Sequence, residues 1–355
     1  MIYLDNIIFS LQKAGGISVV WAEHLSKMVQ NKQNFYVLER SDAHKNIFRQ
    51  NLIIPRERII DTKNIPLILD RYLNPSLSTF KGGIFHSSYF RVVANRKIKN
   101  VTTVHDFTYE YYSSYIKRTL HCSQKYYALR HSDAIICISE NTKKDLLKFL
   151  PDIDQSKIHV IYNGVSDDFF PVKTEQLAFV PPFEKKDFLI FVGARGGYKN
   201  FIKLVDCLKG SNENLVIIGG GDLLKQEKEI LNDTLGKEHY RHYGYINNSQ
   251  LNLFYNHAKC LIYPSLYEGF GIPLLEAQKA GCPVIALNVS SIPEVINQSG
   301  ILLPELTASN LKSALDLLNV TSERTNYIIA GIKNSMRFSW DKTFENTLEL
   351  YQKLL

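Results

Sequence analysis

The sequence predicts an α/β protein with two Rossmann-like domains, each built on a doubly wound parallel sheet. The chain has 355 residues, which is too long for one ordinary hydrophobic core. Its second half alternates apolar strand-like segments with helical segments, which is the pattern of a parallel sheet. A hinge is predicted at residues 166–186, where Pro171, Pro181 and Pro182 occur with little hydrophobic periodicity.

Short apolar runs predict the strands of both domains. In the first half they lie at residues 1–9, 35–38, 52–54, 59–60, 83–86, 101–107, 134–139 and 158–161. In the second half they lie at residues 188–192, 215–218, 260–263, 283–287 and 300–303, with a further strand ending at 243–246. Helices are predicted between these runs, including residues 18–29 and 140–150, and a last helix is predicted at residues 341–355.

The formal charge of the chain is +7, and all of this excess lies in the first half. Residues 1–172 hold 23 lysines and arginines against 16 acidic residues, whereas residues 173–355 hold 19 of each. A basic face suits an anionic membrane or a pyrophosphate-bearing acceptor, and no nucleic-acid-binding motif accompanies it. The five cysteines are odd in number and have no Cys-x-x-Cys spacing, so we expect reduced cysteines in a cytosolic protein.

A segment rich in tyrosine and basic residues occupies residues 108–133. Such a mixture suits a lipid interface or an oligosaccharide groove, but it is also typical of an amphipathic helix packed on its own sheet. The sequence leaves these alternatives open.

Two strand ends and one glycine pair in the first half are candidate binding positions. Gly15 and Gly16 separate the first strand from a helix and favour either an anion site or a tight turn. They do not form a Gly-x-Gly-x-x-Gly fingerprint, so a dinucleotide oxidoreductase is not supported. His105 and Ser139 lie at the carboxyl ends of predicted strands, where open α/β sheets bind ligands.

An apolar strand, a glycine-rich turn and a helix start follow one another in the second half. Cys260–Tyr263 is the strand, and Gly269 and Gly271 let the backbone approach a ligand. The helix start favours an anion such as a phosphate. Glu268 and Glu276 lie on either side of the turn, so the stretch suits a sugar, a diphosphate and a ribose.

These carboxylates have two other interpretations. On a helix, eight residues span roughly 12 Å, which is too far for a retaining glycosidase pair and beyond most inverting pairs. A capped core helix with two solvated acids remains open on the turn alone. A second glycine-rich loop carries Arg195 and Lys199, and two cations at a helix start suit a diphosphate clamp.

The stretch from Glu268 to Glu276 resembles the glutamate–seven residues–glutamate motif of the retaining, GT-B-fold glycosyltransferases of family 4. The flanking sequence is similar too, with Tyr-Pro-Ser before the motif and Ala-Gln-Lys-Ala-Gly-Cys-Pro-Val-Ile after it. The resemblance covers most of the chain and is most specific at residues 188–297. It implies that Glu268 contacts the donor sugar and that Glu276 contacts the ribose of a nucleotide-sugar.

The same resemblance implies the GT-B architecture, with two Rossmann-like domains facing a central cleft. Residues 1–168 would bind the acceptor, residues 169–338 the nucleotide-sugar, and a helix at residues 339–355 would pack back on the first domain. Arg195 and Lys199 would neutralise the leaving diphosphate, and His105 would contact the donor sugar. The other predicted donor-site residues are Gly15, Gly16, Ser139, Gly193, Gly219, Tyr245, Ile246, Gly269, Phe270, Gly271 and Ile272.

The function implied is retaining transfer of a hexose from a nucleotide-sugar, without a metal or another cofactor. A mannose- or rhamnose-type donor and a lipid-linked oligosaccharide acceptor are favoured, as in the synthesis of O-antigen lipopolysaccharide or another bacterial surface polysaccharide. We expect a cytoplasmic protein that is either free or peripheral at the inner face of the cell membrane. Contact with anionic membrane would be made through the basic first domain, and no nucleic-acid partner is expected.

Two other classes remain open from the sequence. One is a GT-B epimerase or phosphorylase, although no cofactor lysine typical of a phosphorylase is identifiable. The other is a non-catalytic sugar-binding subunit of a polysaccharide assembly complex. The sequence does not determine the base, the linkage position or the oligomeric state.

Overall fold

The chain folds into two compact units in a computed structural model that describes residues 1–62, 65–77, 80–172, 181–184 and 186–355. The first unit contains Met1–Gly164 and Trp340–Leu355, and the second contains Val165–Ser339. Residues 173–180 and 185 of the predicted hinge lie outside the described part.

A seven-stranded parallel sheet forms the centre of the first unit, with strand order β3-β2-β1-β4-β5-β6-β7. The strands are β1 Ile2–Asp5, β2 Phe35–Glu39, β3 Ile59–Asp61, β4 Gly83–Ser87, β5 Ile98–Val104, β6 Ala134–Cys137 and β7 Ile158–Val160. The helices among them are α1 Ile7–Leu11, α2 Gly16–Gln30, α3 Ile47–Gln50, α4 Leu67–Asp70, α5 Thr108–Tyr112, α6 Tyr115–Arg130 and α7 Glu140–Phe149.

A six-stranded parallel sheet forms the centre of the second unit, with strand order β10-β9-β8-β11-β12-β13. The strands are β8 Phe188–Val192, β9 Asn214–Ile218, β10 Tyr240–Tyr243, β11 Cys260–Tyr263, β12 Val284–Leu287 and β13 Ile301–Leu303. The helices are α8 Phe201–Cys207, α9 Lys225–Thr234, α10 Asn248–His257, α11 Ile272–Lys279, α12 Ile292–Ile296, α13 Ala308–Asn319 and α14 Thr321–Ser335. The last helix, α15 Trp340–Leu354, belongs to the first unit.

Both sheets are buried on their two faces, as parallel sheets with helical crossovers require. Their central strands are therefore continuous apolar runs, such as Leu189–Phe191 in β8 and Cys260–Tyr263 in β11, all of which are buried. Two parallel, doubly wound sheets confirm the predicted fold class.

Helix α15 completes the hydrophobic core of the first unit. Phe344, Leu350 and Tyr351 are buried in the same cluster as Leu4 of β1 and Leu25 of α2. The Tyr351 hydroxyl also hydrogen-bonds the buried His86 ring of β4. The C-terminal residues are thus part of the first unit's folding core, although most of the chain separates them from it in sequence.

The structure differs from the predicted elements at three places. The apolar run at residues 1–9 is strand β1 followed by helix α1, because the buried Asp5 pairs with Arg91 at the strand end. Residues 52–54 form no strand; Pro55 follows them and cannot donate a ladder hydrogen bond. The strand predicted to end at 243–246 ends at Tyr243, so that Tyr245 and Ile246 lie in the following loop.

Truncating Phe344 tests the role of α15 in the first core. Because the ring is 4 % exposed, we expect Phe344→Ala to lower the free energy of unfolding of the first unit by about 3–5 kcal/mol. Urea denaturation followed by circular dichroism measures the change. Glu345→Ala, an exposed change on the same helix, is the control and should lie within about 0.5 kcal/mol of the wild type. Equal stabilities of the two variants would contradict this role.

Candidate active site

The loop after β8 carries both predicted diphosphate ligands, and the structure gives them different surroundings. Arg195 is 6 % exposed and lies inside the loop that follows β9. Its guanidinium donates to the carbonyl oxygens of Gly219 at 2.7 Å, Gly220 at 3.3 Å, Gly221 at 3.2 Å and Asp222 at 2.8 Å. Its Nε donates to Glu227 Oε1 at 3.1 Å.

Glycine is required where the loop after β9 wraps around Arg195. Gly219, Gly220 and Gly221 have φ angles of +88°, +73° and +71°. A Cβ at Gly220 would lie 2.6 Å from Arg195 Nη1, which leaves no room for a side chain. Because peptide groups are planar and trans, carbonyls turned onto the guanidinium direct the adjoining N–H groups away from it. Arg195 therefore fixes the backbone of this loop.

Lys199, in contrast, reaches the predicted donor-sugar carboxylate. Its Nζ donates to Glu268 Oε1 at 2.5 Å and lies 5.5 Å from the ring centroid of Tyr263 and 5.2 Å from that of Tyr198. Burial works to lower the pKa of Lys199, but Tyr263 and Glu268 outweigh it and raise the pKa above its ordinary value. Lys199 is therefore a permanent cation beside Glu268.

The loop after β11 is held by two serines that precede α12. Ser290 Oγ accepts from the backbone N–H of Glu268 at 2.9 Å. Ser291 Oγ donates to the carbonyl oxygens of Glu268 at 2.9 Å and Phe270 at 3.1 Å. These contacts fix the main chain on both sides of Gly269, so the backbone that bears the Glu268 carboxylate has a defined position.

The turn into α11 contains the remaining predicted residues of this loop. Gly271 has a φ of +102°, and a Cβ there would lie 2.8 Å from Leu274 Cδ1. Gly269 is buried, and the buried Phe270 packs edge-on against Phe338 at 5.6 Å. Ile272 begins α11 and is half-buried.

Glu276 lies in the second turn of α11 and is half-buried. Burial raises the pKa of its carboxyl to about 7, although a hydrogen bond donated by the Tyr255 hydroxyl at 3.3 Å opposes this shift. The carboxyl is thus close to its point of ionisation at neutral pH.

The other predicted residues of the second unit surround these loops. Gly193 follows β8 and has a φ of +126°. Gly219 lies against the backbone of Gly193, so that a Cβ added to Gly219 would contact it. Tyr245 is 65 % exposed and Ile246 is half-buried, and both lie in the loop between β10 and α10.

The predicted residues of the first unit lie at the carboxyl edge of its own sheet. His105 follows β5 and borders two cavities, and burial lowers its pKa to about 4, which keeps the ring neutral. Gly16 begins α2, and a Cβ at Gly15 would lie 2.5 Å from Gln12 Oε1. Ser139 is fully buried and caps α7, accepting from the Thr142 N–H at 3.0 Å.

The structure thus brings the predicted residues together in two groups, one in each unit. In the second unit, Arg195, Lys199 and Glu268 lie on neighbouring loops and Glu276 lies on the adjoining helix α11. The first unit contains the other group, which is His105, Gly15, Gly16 and Ser139. Sequence reasoning missed Glu227 and Tyr255, which contact Arg195 and Glu276. Neither has a sequence signal: the helix cap before Glu227 is a leucine, and Tyr255 looks like an ordinary core aromatic.

The described residues contain neither a metal-binding cluster nor a membrane-spanning helix. No three His, Cys, Asp or Glu side chains there lie close enough together to hold a metal ion. Within the same residues, no helix has the length and apolarity needed to cross a membrane.

Two Rossmann-like units in one chain, with acidic and basic side chains on adjacent strand-end loops of the second, are typical of glycosyltransferases of the GT-B class. The family model described as "Glycosyl transferases group 1" matches residues 172–334. The model described as "Glycosyltransferase Family 4" matches residues 14–169. The chain belongs to this family of GT-B glycosyltransferases, which confirms the resemblance and the enzyme class predicted from the sequence.

Individual relatives are consistent with this family. The chain is 25 % identical over 320 residues to the O-antigen chain mannosyltransferase B of Escherichia coli, covering 81 % of each chain. It is 27 % identical over 240 residues to the O-antigen chain mannosyltransferase RfbU of Salmonella typhimurium, covering 65 % of each chain. The solved sucrose-phosphate synthase of Thermosynechococcus elongatus has a similar fold, with a TM-score of 0.79, 17 % identity, and coverage of 99 % of this chain and 98 % of that one.

Replacing Arg195 tests whether it acts through the loop after β9. On sequence alone, Arg195→Ala would lower turnover and leave the fold intact. The structure adds an effect on stability: the guanidinium is buried, and its removal leaves Glu227 without its cation and several carbonyl oxygens without their donor. We therefore expect Arg195→Ala to destabilise the second unit by about 3–5 kcal/mol as well. Urea denaturation measures this loss, and Lys228→Ala, an exposed change beside Glu227 on α9, is the control. Unchanged stability in Arg195→Ala would show that the loop does not depend on it.

The raised pKa of Glu276 predicts a pH dependence of stability. The folded chain retains this proton up to about pH 7, whereas an unfolded glutamate loses it near 4.5. The stabilisation is therefore complete below pH 4.5 and is lost as the pH rises through 7. We expect Glu276→Gln to abolish up to about 3 kcal/mol of the stability difference between pH 5 and pH 8, measured by urea denaturation at each pH. Glu305→Gln removes an exposed carboxyl and should retain the wild-type difference.

Proposed function

We propose that this protein is a retaining glycosyltransferase that moves a hexose from a nucleotide-sugar to a lipid-linked oligosaccharide, without a metal, in the synthesis of a bacterial surface polysaccharide. The observation that carries the proposal is the Lys199–Glu268 pair, with Glu276 on the helix that follows. A cation and a sugar-binding carboxylate are thereby available on adjacent loops, and a ribose-binding carboxylate is available on the following helix α11.

The donor is proposed to bind the second unit. Glu268 would accept hydrogen bonds from sugar hydroxyls through its carboxylate. Ser290 and Ser291 fix the backbone of Glu268 and thereby position this carboxylate. The ionised form of Glu276 would accept hydrogen bonds from the ribose hydroxyls. The N–H groups at the start of α11 suit the diphosphate between them.

The chemistry proposed is a front-face displacement in which the leaving phosphate takes the acceptor's proton. Lys199 would stabilise the negative charge that develops on the leaving diphosphate, since it is a permanent cation in a partly buried site. The His105 ring is neutral. It can either donate a hydrogen bond to a hydroxyl group of the nucleotide-sugar or accept one from it, without adding charge. Catalysis would then consist of orientation and charge stabilisation, and no protein nucleophile is assigned.

A mannose- or rhamnose-type donor is favoured among hexoses. The support comes from the two relatives named as O-antigen chain mannosyltransferases. A lipid-linked acceptor at the membrane is supported by the excess of basic residues in the first half of the chain, where the formal net charge is +7.

A donor screen tests the proposed activity. Thermal shifts are measured with UDP, GDP, dTDP and their sugars, in the presence of a chelator. We expect a shift of several degrees with one diphosphate and its sugar, GDP-mannose or dTDP-rhamnose being favoured. Absence of a shift with every nucleotide, with and without magnesium, would contradict a nucleotide-sugar site. Turnover of donor without any acceptor would instead favour the epimerase alternative.

Replacing Lys199 tests the proposed charge stabilisation. With the nucleotide-sugar found in the screen, we expect Lys199→Gln to lower kcat by about 10²–10³-fold. Other enzymes lose this much when one hydrogen-bond donor that stabilises transition-state charge is removed. Lys203→Gln, an exposed change on α8, is the matched control and should leave kcat unchanged. A folded Lys199→Gln enzyme with wild-type kcat would rule out this role.

A further inference from the structure

The hydroxyl group of Tyr255 lies inside the second unit, where it meets the carboxyl group of Glu276. Tyr255 belongs to α10 and is 0 % exposed, and its hydroxyl donates to Glu276 Oε2 at 3.3 Å. A buried tyrosine hydroxyl needs a hydrogen-bond partner, and the Glu276 carboxyl supplies it. The proposed function assigns no role to this tyrosine.

The ring of Tyr255 is held in place by the segment that precedes the second sheet. Phe169 is 1 % exposed and packs edge-on against Tyr255, with the ring centroids 6.0 Å apart. The next residue, Phe170, donates its backbone N–H to Asn252 Oδ1 of α10 at 3.1 Å, so this segment is attached to the same helix. The position of the Tyr255 hydroxyl is therefore set by core packing, because a tyrosine hydroxyl lies on the axis of its ring.

The contact with Tyr255 leaves part of the Glu276 carboxyl available to a ligand. The hydroxyl binds at Oε2, and Glu276 is half-buried whereas Tyr255 is fully buried. A carboxylate has about four lone-pair sites on its two oxygens, so one hydrogen bond at Oε2 does not use up its capacity as an acceptor. Glu276 can thus bind a ribose hydroxyl while Tyr255 holds it.

Two influences of opposite sign act on the ionisation of Glu276. Burial raises the pKa of its carboxyl to about 7, and the hydrogen bond from Tyr255 works to lower this pKa. Tyr255 itself keeps its proton, since burial raises the pKa of its hydroxyl well above the ordinary value. The Cys282 thiol also faces Tyr255, but burial raises its pKa to about 11, so it is neutral at pH 7. Tyr255 is therefore the group that favours the carboxylate form of Glu276.

We propose that Tyr255 is a positioning residue of the donor site, whose hydroxyl holds Glu276 as a carboxylate in the orientation that binds the ribose of the nucleotide-sugar. Tyr255 acts through Glu276 and does not touch the nucleotide-sugar, since its side chain is fully buried. This inference rests on the proposed function, in which Glu276 binds the ribose.

The pH profile of nucleotide-sugar binding tests this role. Binding of GDP-mannose, dTDP-rhamnose and UDP-glucose to the full chain is measured by calorimetry from about pH 6 to about pH 8.5. Because the ribose needs an ionised acceptor, the wild-type affinity should rise with a midpoint near pH 7. In Tyr255→Phe the carboxylate loses its donor, so we expect the midpoint to move up by roughly one pH unit and the affinity at pH 7 to fall roughly five-fold. Most of the lost affinity should return at the highest pH.

Two further variants separate positioning from packing. Tyr240→Phe is the matched control, because it removes a tyrosine hydroxyl that donates to Asn232 Oδ1 at 2.9 Å elsewhere in the same unit. It should leave both the affinity and the midpoint unchanged. In a Glu276→Gln background no carboxyl remains to ionise, so adding Tyr255→Phe should not move the profile. Circular dichroism verifies that each variant is folded.

The remaining outcomes assign each failure to one of the two proposals. A wild-type midpoint in folded Tyr255→Phe, or a loss of affinity that is equal at every pH, would overturn the positioning role. If Glu276→Gln weakens binding while Tyr255→Phe leaves the midpoint in place, only the inference about Tyr255 fails. If Glu276→Gln binds the nucleotide-sugars as the wild type does, or if the wild type binds none of them, the ribose site of the proposed function fails as well.

Discussion

Parallel pairing of the strands is the constraint on which the rest of this structure depends. Every strand pair among the described residues is parallel, so the chain returns to the same sheet edge after each crossover. In the second unit the order β10-β9-β8-β11-β12 therefore makes neighbours of loops that are distant in sequence. Arg195 meets Gly219 because β8 and β9 are adjacent, and Lys199 meets Glu268 because β8 and β11 are adjacent.

Burial then separates two cations that look alike in the sequence. The guanidinium N–H groups of Arg195 donate to carbonyl oxygens and to Glu227, so this side chain stabilises the backbone around it. Lys199 has a single carboxylate partner and keeps its point charge beside Glu268. An arginine suits several fixed acceptors at once, whereas a lysine suits one acceptor that a substrate can share.

The first unit distributes its charges in a similar way. Arg91 and Arg40 share Asp70, and Arg91 also pairs with the fully buried Asp5 at the end of β1. Such buried pairs are stable when both partners stay together. Asp5 and Asp70 are therefore each paired with an arginine inside the first unit, and neither is left as an unpaired buried charge.

Local pattern in the sequence determined the α/β class, most strands and the Glu268-to-Glu276 turn, because apolar runs and glycine-rich turns carry that information within a few residues. The same reasoning failed for residues 52–54, because Pro55 follows them and cannot donate a ladder hydrogen bond. It also missed Glu227 and Tyr255. Those features depend on which strands become neighbours and which acids are already paired, and only the tertiary structure decides such long-range contacts.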